Sequence, residues 1–247
     1  MQTPIPGLSK AQRSSILSLH RKKGREQAQQ FIVEGPKAVH EFLDEGWSLE
    51  RLVVRNDSDW VGHPGALVVT PREFAEVSTL ENPQGVLGVF AKKSLTPAQG
   101  GWVLVLDRVQ DPGNVGTLLR LADWFGVDYV ALPTGTAEVF NPKVVQASMG
   151  ALARMPLVHG SPEDVLTRLQ SEGRTLYAAD LGGKSPGDLP LDGPAALVLG
   201  NEGQGPDLLW KEACDHILTI PRQPDRKTES LNVATAGAIA LYACFSR

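Results

Sequence analysis

Apolar positions along this chain fall into short blocks of two periods, and the change from one to the other marks where strands give way to helices. Leu8, Ile16, Leu17 and Leu19 predict a helix that ends near Gly24. Phe31-Ile32-Val33-Glu34-Gly35 then reads as a strand and turn, and Pro36 to Glu45 as a helix with Val39, Phe42 and Leu43 inward. Leu52-Val53-Val54 and Leu67-Val68-Val69 are short buried strands, Pro71 to Val77 a short helix, and Val86 to Phe90 another strand. Such alternation predicts a small α/β domain. Lys92 to Gly101, with Pro97 and the Gly100-Gly101 pair, reads as a linker. The expected division is therefore a first domain over residues 1–95, a linker over 96–101 and a second domain over 102–247.

Beyond the linker the apolar blocks become nearly continuous, as in parallel strands buried on both faces. Trp102 to Asp107, Tyr129 to Pro133, Thr175 to Ala179 and Ala195 to Leu199 are such strands, and a further one begins at Ile217. Between them the pattern predicts helices over Thr117 to Phe125, from Pro142 onward, and over Pro162 to Glu172. The chain ends in an Ala-rich helical run opened by Ser230-Leu231-Asn232, in which Ser230 is the N-cap candidate. By itself this run reads first as a capped packing helix, caps being far commoner than sites, with the edge of a site as the alternative. Small residues at Ser148, Gly150, Ala151 and Ala153 suit close packing against another surface, and together with the terminal helix they are the expected contact between copies.

Charge changes the picture in one place. The 247 residues carry a net charge of −4, which argues against binding nucleic acid by bulk charge, yet Lys10, Arg13, Arg21, Lys22, Lys23 and Arg25 fall within sixteen positions that contain no acid. That cluster is either a solvated face or a contact for a polyanion. Two cysteines without a CxxC pair fit a reducing cytosol and leave no basis for a metal site. No apolar run approaches a membrane span, so a cytoplasmic protein is expected.

Candidate chemistry gathers in three loops, each following a strand. The first is Asp111-Pro112-Gly113-Asn114-Val115-Gly116, with Arg120 one turn into the helix beyond it. The second is Leu199-Gly200-Asn201-Glu202-Gly203, where closely spaced glycines around one carboxylate suit a backbone that approaches a ligand. The third runs from Ile220-Pro221 to Ser230-Leu231-Asn232-Val233-Ala234. Neither GxGxxG nor GxxxxGK[ST] is present, which removes the basis for a dinucleotide or P-loop reading. Arg120 has two readings, a functional guanidinium or a surface partner of Asp123.

In this order and spacing the three motifs resemble the SpoU/TrmH family of RNA ribose 2′-O-methyltransferases, within the SPOUT superfamily, over roughly Trp102 to Phe245. The segment Lys22 to Gly35 resembles the substrate-binding domain that many members carry first. The resemblance implies a C-terminal SPOUT-type parallel-sheet domain with a trefoil knot, preceded by a small α/β substrate-binding domain. It also implies S-adenosylmethionine as cofactor, a homodimer whose sites borrow residues across the interface, and structured RNA as substrate, ribosomal RNA ahead of transfer RNA. Carried over by position, Asn114, Arg120, Glu202, Ser230 and Asn232 are the catalytic candidates, and Leu199, Gly200, Asn201, Ile220, Pro221, Leu231 and Ala234 the cofactor-binding ones. Arg21, Lys22, Lys23 and Arg25 are the RNA-binding candidates.

Two features depart from the family pattern: Arg222 stands where Met commonly follows the Ile-Pro pair, with a lengthened loop after it, and Ala234 replaces a frequent Ser. Methyl transfer to a ribose hydroxyl is an in-line displacement, so the protein must orient two reactants and help the hydroxyl lose its proton. A guanidinium stays protonated at neutral pH, which assigns Arg120 to gripping a phosphate or a forming alkoxide rather than to taking the proton. The competing reading is an RNA-binding protein of the same fold without catalysis.

Overall fold

The computed structural model describes residues 7–246. In chain order its elements are α1 (Lys10–Ser18), α2 (Lys22–Ala28), β1 (Gln30–Glu34), α3 (Pro36–Asp44), β2 (Leu49–Arg55), β3 (Ala66–Val69), α4 (Pro71–Val77), β4 (Val86–Ala91), β5 (Trp102–Leu106), α5 (Pro112–Phe125), β6 (Tyr129–Pro133), α6 (Pro142–Ser148), β7 (Leu157–Gly160), α7 (Pro162–Ser171), β8 (Thr175–Lys184), β9 (Ala195–Leu199), α8 (Leu208–Ala213), β10 (His216–Leu218) and α9 (Val233–Phe245). They group into two units. One holds the described residues up to Lys93 together with Glu138–Ala153, and the other holds Ser94–Ala137 and Arg154 onward.

The first unit is a four-stranded mixed sheet in the order β1-β4-β2-β3, antiparallel except for the β2–β3 pair. Ile16, Leu19, Val69, Phe74 and Leu87 fill one core. A second core is aromatic: Phe31 meets Phe42 and Trp47, each at 5.5 Å, and Phe140 at 4.7 Å. Phe140 arrives from far along the chain. The same excursion supplies the carbonyl of Ala153 to the Trp47 indole N–H at 2.9 Å. Residues 138–153 therefore complete the first unit's core, a departure from a division made only at the linker. Ser148, Ala151, Leu152 and Ala153 are buried by this packing, so the small-residue surface expected to meet a second copy is already covered within one chain.

The basic N-terminal stretch also departs from expectation, forming two helices instead of one. Ser9 and Gln12 make a reciprocal capping box for α1, and Gly24, expected as the end of a helix, lies inside α2. A Cβ on Gly24 would sit 2.0 Å from the Ser18 carbonyl oxygen, so the two helices approach each other through a glycine. Arg21, Lys22 and Lys23 face solvent, whereas Arg25 is only 2% exposed. Its Nη1 donates to the carbonyls of Leu19 and His20 at 2.8 and 3.0 Å, and Nε and Nη2 donate to Glu138, the former at 2.8 Å. Arg25 is thus corrected from RNA contact to a structural bolt. Arg25→Ala should lower unfolding free energy by about 2 kcal/mol, since it leaves the mostly buried Glu138 carboxylate with Lys92, at 3.4 Å, as its remaining cation, and urea denaturation checks this.

The second unit carries a six-stranded sheet in the order β10-β8-β9-β5-β6-β7, parallel throughout. Every residue of β5, β6 and β9 is buried, which accounts for their unbroken apolar runs. α7 and α8 pack over one face through Val165, Leu169 and Trp210. At the amino edge of the sheet Arg174 bonds Asp128 at 3.1 Å and Glu172 at 2.6 Å, and Tyr129 donates to Glu172 at 2.8 Å. Burial, then the bond to Glu172, pushes the Tyr129 hydroxyl up to about 12. This network ties strands together, and the chemistry lies at the opposite edge.

Candidate active site

Strand order reverses at β5, which has β9 on one side and β6 on the other. In open parallel sheets ligand sites form beyond the carboxyl ends of strands flanking such a point. Here those ends deliver the loops after β5 and β9, with the segment after β10 beside them.

Each loop is held by its own polar residues. Asp111 caps α5 by accepting from the Asn114 N–H at 2.9 Å, and Pro112 takes the first helical position, where it needs no N–H partner. The helix therefore starts at Pro112 rather than Thr117, placing Asn114 in its first turn and Arg120 in its third. In the β9 loop Asn201 and Gly205 exchange backbone bonds of 3.1 and 2.9 Å, while Asn201 Oδ1 accepts from the N–H groups of Gly203 and Gln204 at 3.0 and 3.2 Å. The cap of α9 is Asn232 and not Ser230: its Oδ1 accepts from the N–H groups of Ala234 and Thr235 at 2.9 and 3.2 Å. Ser230 lies two residues short of that cap, out of reach of the first-turn amides.

That cap fixes the direction of a relay. With Oδ1 committed to the helix, the Asn232 Nδ2 donates outward to Asn114 Oδ1 at 3.0 Å, and Asn114 Nδ2 then donates to Glu202 Oε1 at 3.0 Å. Glu202 also accepts from the N–H of Asp111 at 3.2 Å and of Gln110 at 3.4 Å. Burial pushes the Glu202 carboxyl up, but the bonds from Asn114 and the backbone outweigh it and hold the carboxyl below its ordinary value of 4.5. It is ionised at neutral pH, an acceptor and not an acid. Residues 118 positions apart, Asn114 and Asn232, are brought together with Glu202 in one line. Asn114→Asp would keep the bond accepted from Asn232 but set carboxylate against carboxylate at Glu202, and catalytic turnover should fall by roughly tenfold or more at pH 7, measured on folded protein.

Glu202 also belongs to a pocket of about 730 Å³, whose wall includes Gly200, Asn201, Ile220, Pro221, Ser230 and Leu231. Leu199 and Ala234, expected beside the cofactor, are buried instead, Leu199 packing toward Gly237 of α9. Arg120 is exposed and stands apart from the relay; among the described residues it makes no hydrogen bond or ion pair. Its proposed surface partner is taken, because Asp123 pairs with Arg154 at 2.9 Å. Leu181, Leu218 and Val233 add apolar wall that the sequence did not single out, and the lengthened loop adds two cations, Arg226 and the Arg222 already noted as a departure from the family pattern. Sequence reasoning also passed over Asp107 and Arg108. Their signal was an acid and a base ending an otherwise apolar strand.

The volume suits a small organic ligand, and apolar walls beside three carboxylates, Asp180, Glu202 and Glu229, and two guanidiniums, Arg222 and Arg226, suit a flat heterocycle joined to a group that carries both a cation and a carboxylate. The donor set and shape therefore fit S-adenosylmethionine. The arrangement defines an open parallel-sheet transferase whose ligand loops lie at the carboxyl edge of its strands. The chain belongs to the SpoU rRNA methylase family, whose sequence model matches residues 101–242, and a model of an MRM3-like substrate-binding domain matches residues 14–88. It is 34% identical over 229 residues to RlmP of Bacillus subtilis, a 23S rRNA (guanosine(2553)-2′-O)-methyltransferase, covering 91% of this chain and 92% of that one. A TrmH-family structure from Porphyromonas gingivalis superposes with a TM-score of 0.87 at 41% identity, covering 97% and 99% of the two chains. An AdoMet-bound rRNA methyltransferase from Sinorhizobium meliloti gives 0.86 at 28% identity, covering 96% and 95%.

Proposed function

We propose that this protein transfers a methyl group from S-adenosylmethionine to a ribose 2′-hydroxyl of structured ribosomal RNA. The observation that supports this most is the Asn232–Asn114–Glu202 relay, which ends on the wall of a pocket fitted to that cofactor. When bound, the cofactor supplies an electrophilic methyl group. The chain's own part is orientation. Glu202 locks the Asn114 amide, and the α9 cap locks the Asn232 amide, so neither reorganises as the ribose arrives. Ser230 lines the same pocket, and among the described residues its hydroxyl has no partner, which leaves it available to a ligand.

The reading includes a homodimer with the family's threaded C-terminal segment, working in the cytoplasm. On α5 and α9 Trp124 is 81% exposed, Tyr242 65% and Ile239 41%, and in this reading a second copy covers these side chains. Arg120 projects from α5 and, in this reading, serves the pocket of the second copy. Arg21, Lys22 and Lys23 of the first unit hold RNA phosphates. Among the described residues no helix is long and apolar enough to cross a membrane.

The test is methyl transfer from labelled S-adenosylmethionine to total RNA from cells lacking this protein, followed by mapping of the labelled nucleotide. Label in a ribose 2′-O-methyl group of ribosomal RNA is the expected result. Label confined to transfer RNA would reject the substrate, and no transfer at all would reject the activity.

A further inference from the structure

We propose that Arg108 is a positioning residue that shapes the cofactor pocket from outside, by clamping the β9 loop to the end of β5; this rests on the cofactor reading above. Arg108 does not line the pocket. Its Nη1 lies 3.1 Å from Asp207 Oδ2 and its Nη2 3.3 Å from Asp107 Oδ2, so one guanidinium bridges two carboxylates on different loops. Its backbone carbonyl accepts from the Asn201 side chain at 3.1 Å, and its Nη1 reaches Gln204 Oε1 at 3.5 Å. Asp107, 1% exposed, accepts in addition from the Asp207 N–H at 2.8 Å. Four ties thus join residues 107–108 to residues 201–207, and the stretch they pin runs through Gly200 to Gly205, all of which line the pocket.

The backbone supports the same assignment. Arg108 sits at φ 55, a left-handed conformation that an arginine adopts only when its surroundings enforce it. Its stem packs against Gly135, where a Cβ would come within 3.0 Å of Arg108 Cγ. The conformation turns the guanidinium back across the sheet edge toward Asp207. Without that cation two carboxylates face each other, one of them buried, and relief comes from opening the β9 loop. Lysine supplies charge but not a fork able to serve both carboxylates.

Hydrogen exchange and calorimetric titration with S-adenosylmethionine test this on the full chain. In Arg108→Ala, amides of residues 200–207 should exchange at least about tenfold faster, with the remaining strands of the sheet unchanged, and the Kd for the cofactor should rise about 10–100-fold. Arg108→Lys should recover part of both. Adding Asp207→Asn to Arg108→Ala should also recover part, because it removes one of the opposed charges while asparagine keeps the α8 cap. Unchanged exchange in the 200–207 stretch, or a Kd within about twofold of wild type, would overturn the assignment. A wild-type protein that fails to bind S-adenosylmethionine overturns the cofactor reading instead, and the exchange measurement still decides the role of Arg108.

Discussion

Replacing Arg120 by alanine should lower methyl transfer by about 10²–10³-fold while leaving cofactor affinity within about twofold, because the loss is of a preorganised charge and not of pocket wall. The structure strengthens one side of this expectation. Were Arg120 a surface ion pair with Asp123, its removal would cost little, but Asp123 is held by Arg154 and Arg120 has no partner among the described residues. In the proposed reading the exposed Arg120 acts on something outside its own chain. Lysine should rescue little, since a point charge does not reproduce the planar fork. A mixing experiment separates the location of its action. Combining Arg120→Ala subunits with Asn232→Ala subunits regenerates one complete site per mixed dimer if Arg120 works across the interface, and none if it works within its own chain. Activity that stays absent on mixing, or Arg120→Ala turnover near wild type, would falsify the assignment.

Much of the second unit was legible because burial leaves little choice of residue. β6 and β9 have the bounds their apolar runs predict, and β5 differs by one residue. The errors fell where side-chain bonding to backbone decides an element's limits. Asp111 draws α5 back to Pro112, and Asn232, not the serine before it, closes the end of α9. Both residues were visible as cap formers, but which of several candidates wins depends on the tertiary path of the loop. β7 and α8 were missed because each is too short to show a period: β7 is four residues at the sheet edge, and α8 is six. Nor does local pattern reveal that residues 138–153 leave the sequence region of the second domain to complete the first unit's aromatic core. Phe140 reads as an ordinary apolar residue until Phe31 lies beside it.

The candidate site divides along the same line. The family resemblance of the three loops pointed to Asn114, Glu202 and Asn232, and the fold joins these three through two hydrogen bonds donated by side-chain amides. What order does not carry is direction, and direction comes from the α9 cap, which forces the Asn232 Nδ2 outward and so orients Asn114. Arg25 failed as an RNA contact for the converse reason. Its neighbours Arg21, Lys22 and Lys23 share its charge, but the helix turns it inward onto Glu138, and charge composition alone cannot tell the two faces apart.

Gly200→Ala should reduce cofactor affinity by roughly 100-fold, an effect of one methyl group placed where the loop folds back on itself. A Cβ at this position would lie 1.9 Å from the Pro206 nitrogen and 2.1 Å from the Gly205 carbonyl carbon. Both are backbone atoms, so no rotamer change relieves the overlap and the Asn201–Gly205 bridge must open. Opening it moves Glu202, which costs the pocket a wall and leaves the Asn114 amide without its acceptor, so turnover should fall together with binding. The sheet ends at Leu199, and circular dichroism should therefore report an intact fold. Gly203→Ala is the matched control in the same loop: its Cβ would meet only the Asn201 Oδ1, at 3.7 Å, an ordinary contact, and affinity should change by less than about threefold. If the two variants bind S-adenosylmethionine equally well, the closed form of this loop is not what holds the cofactor.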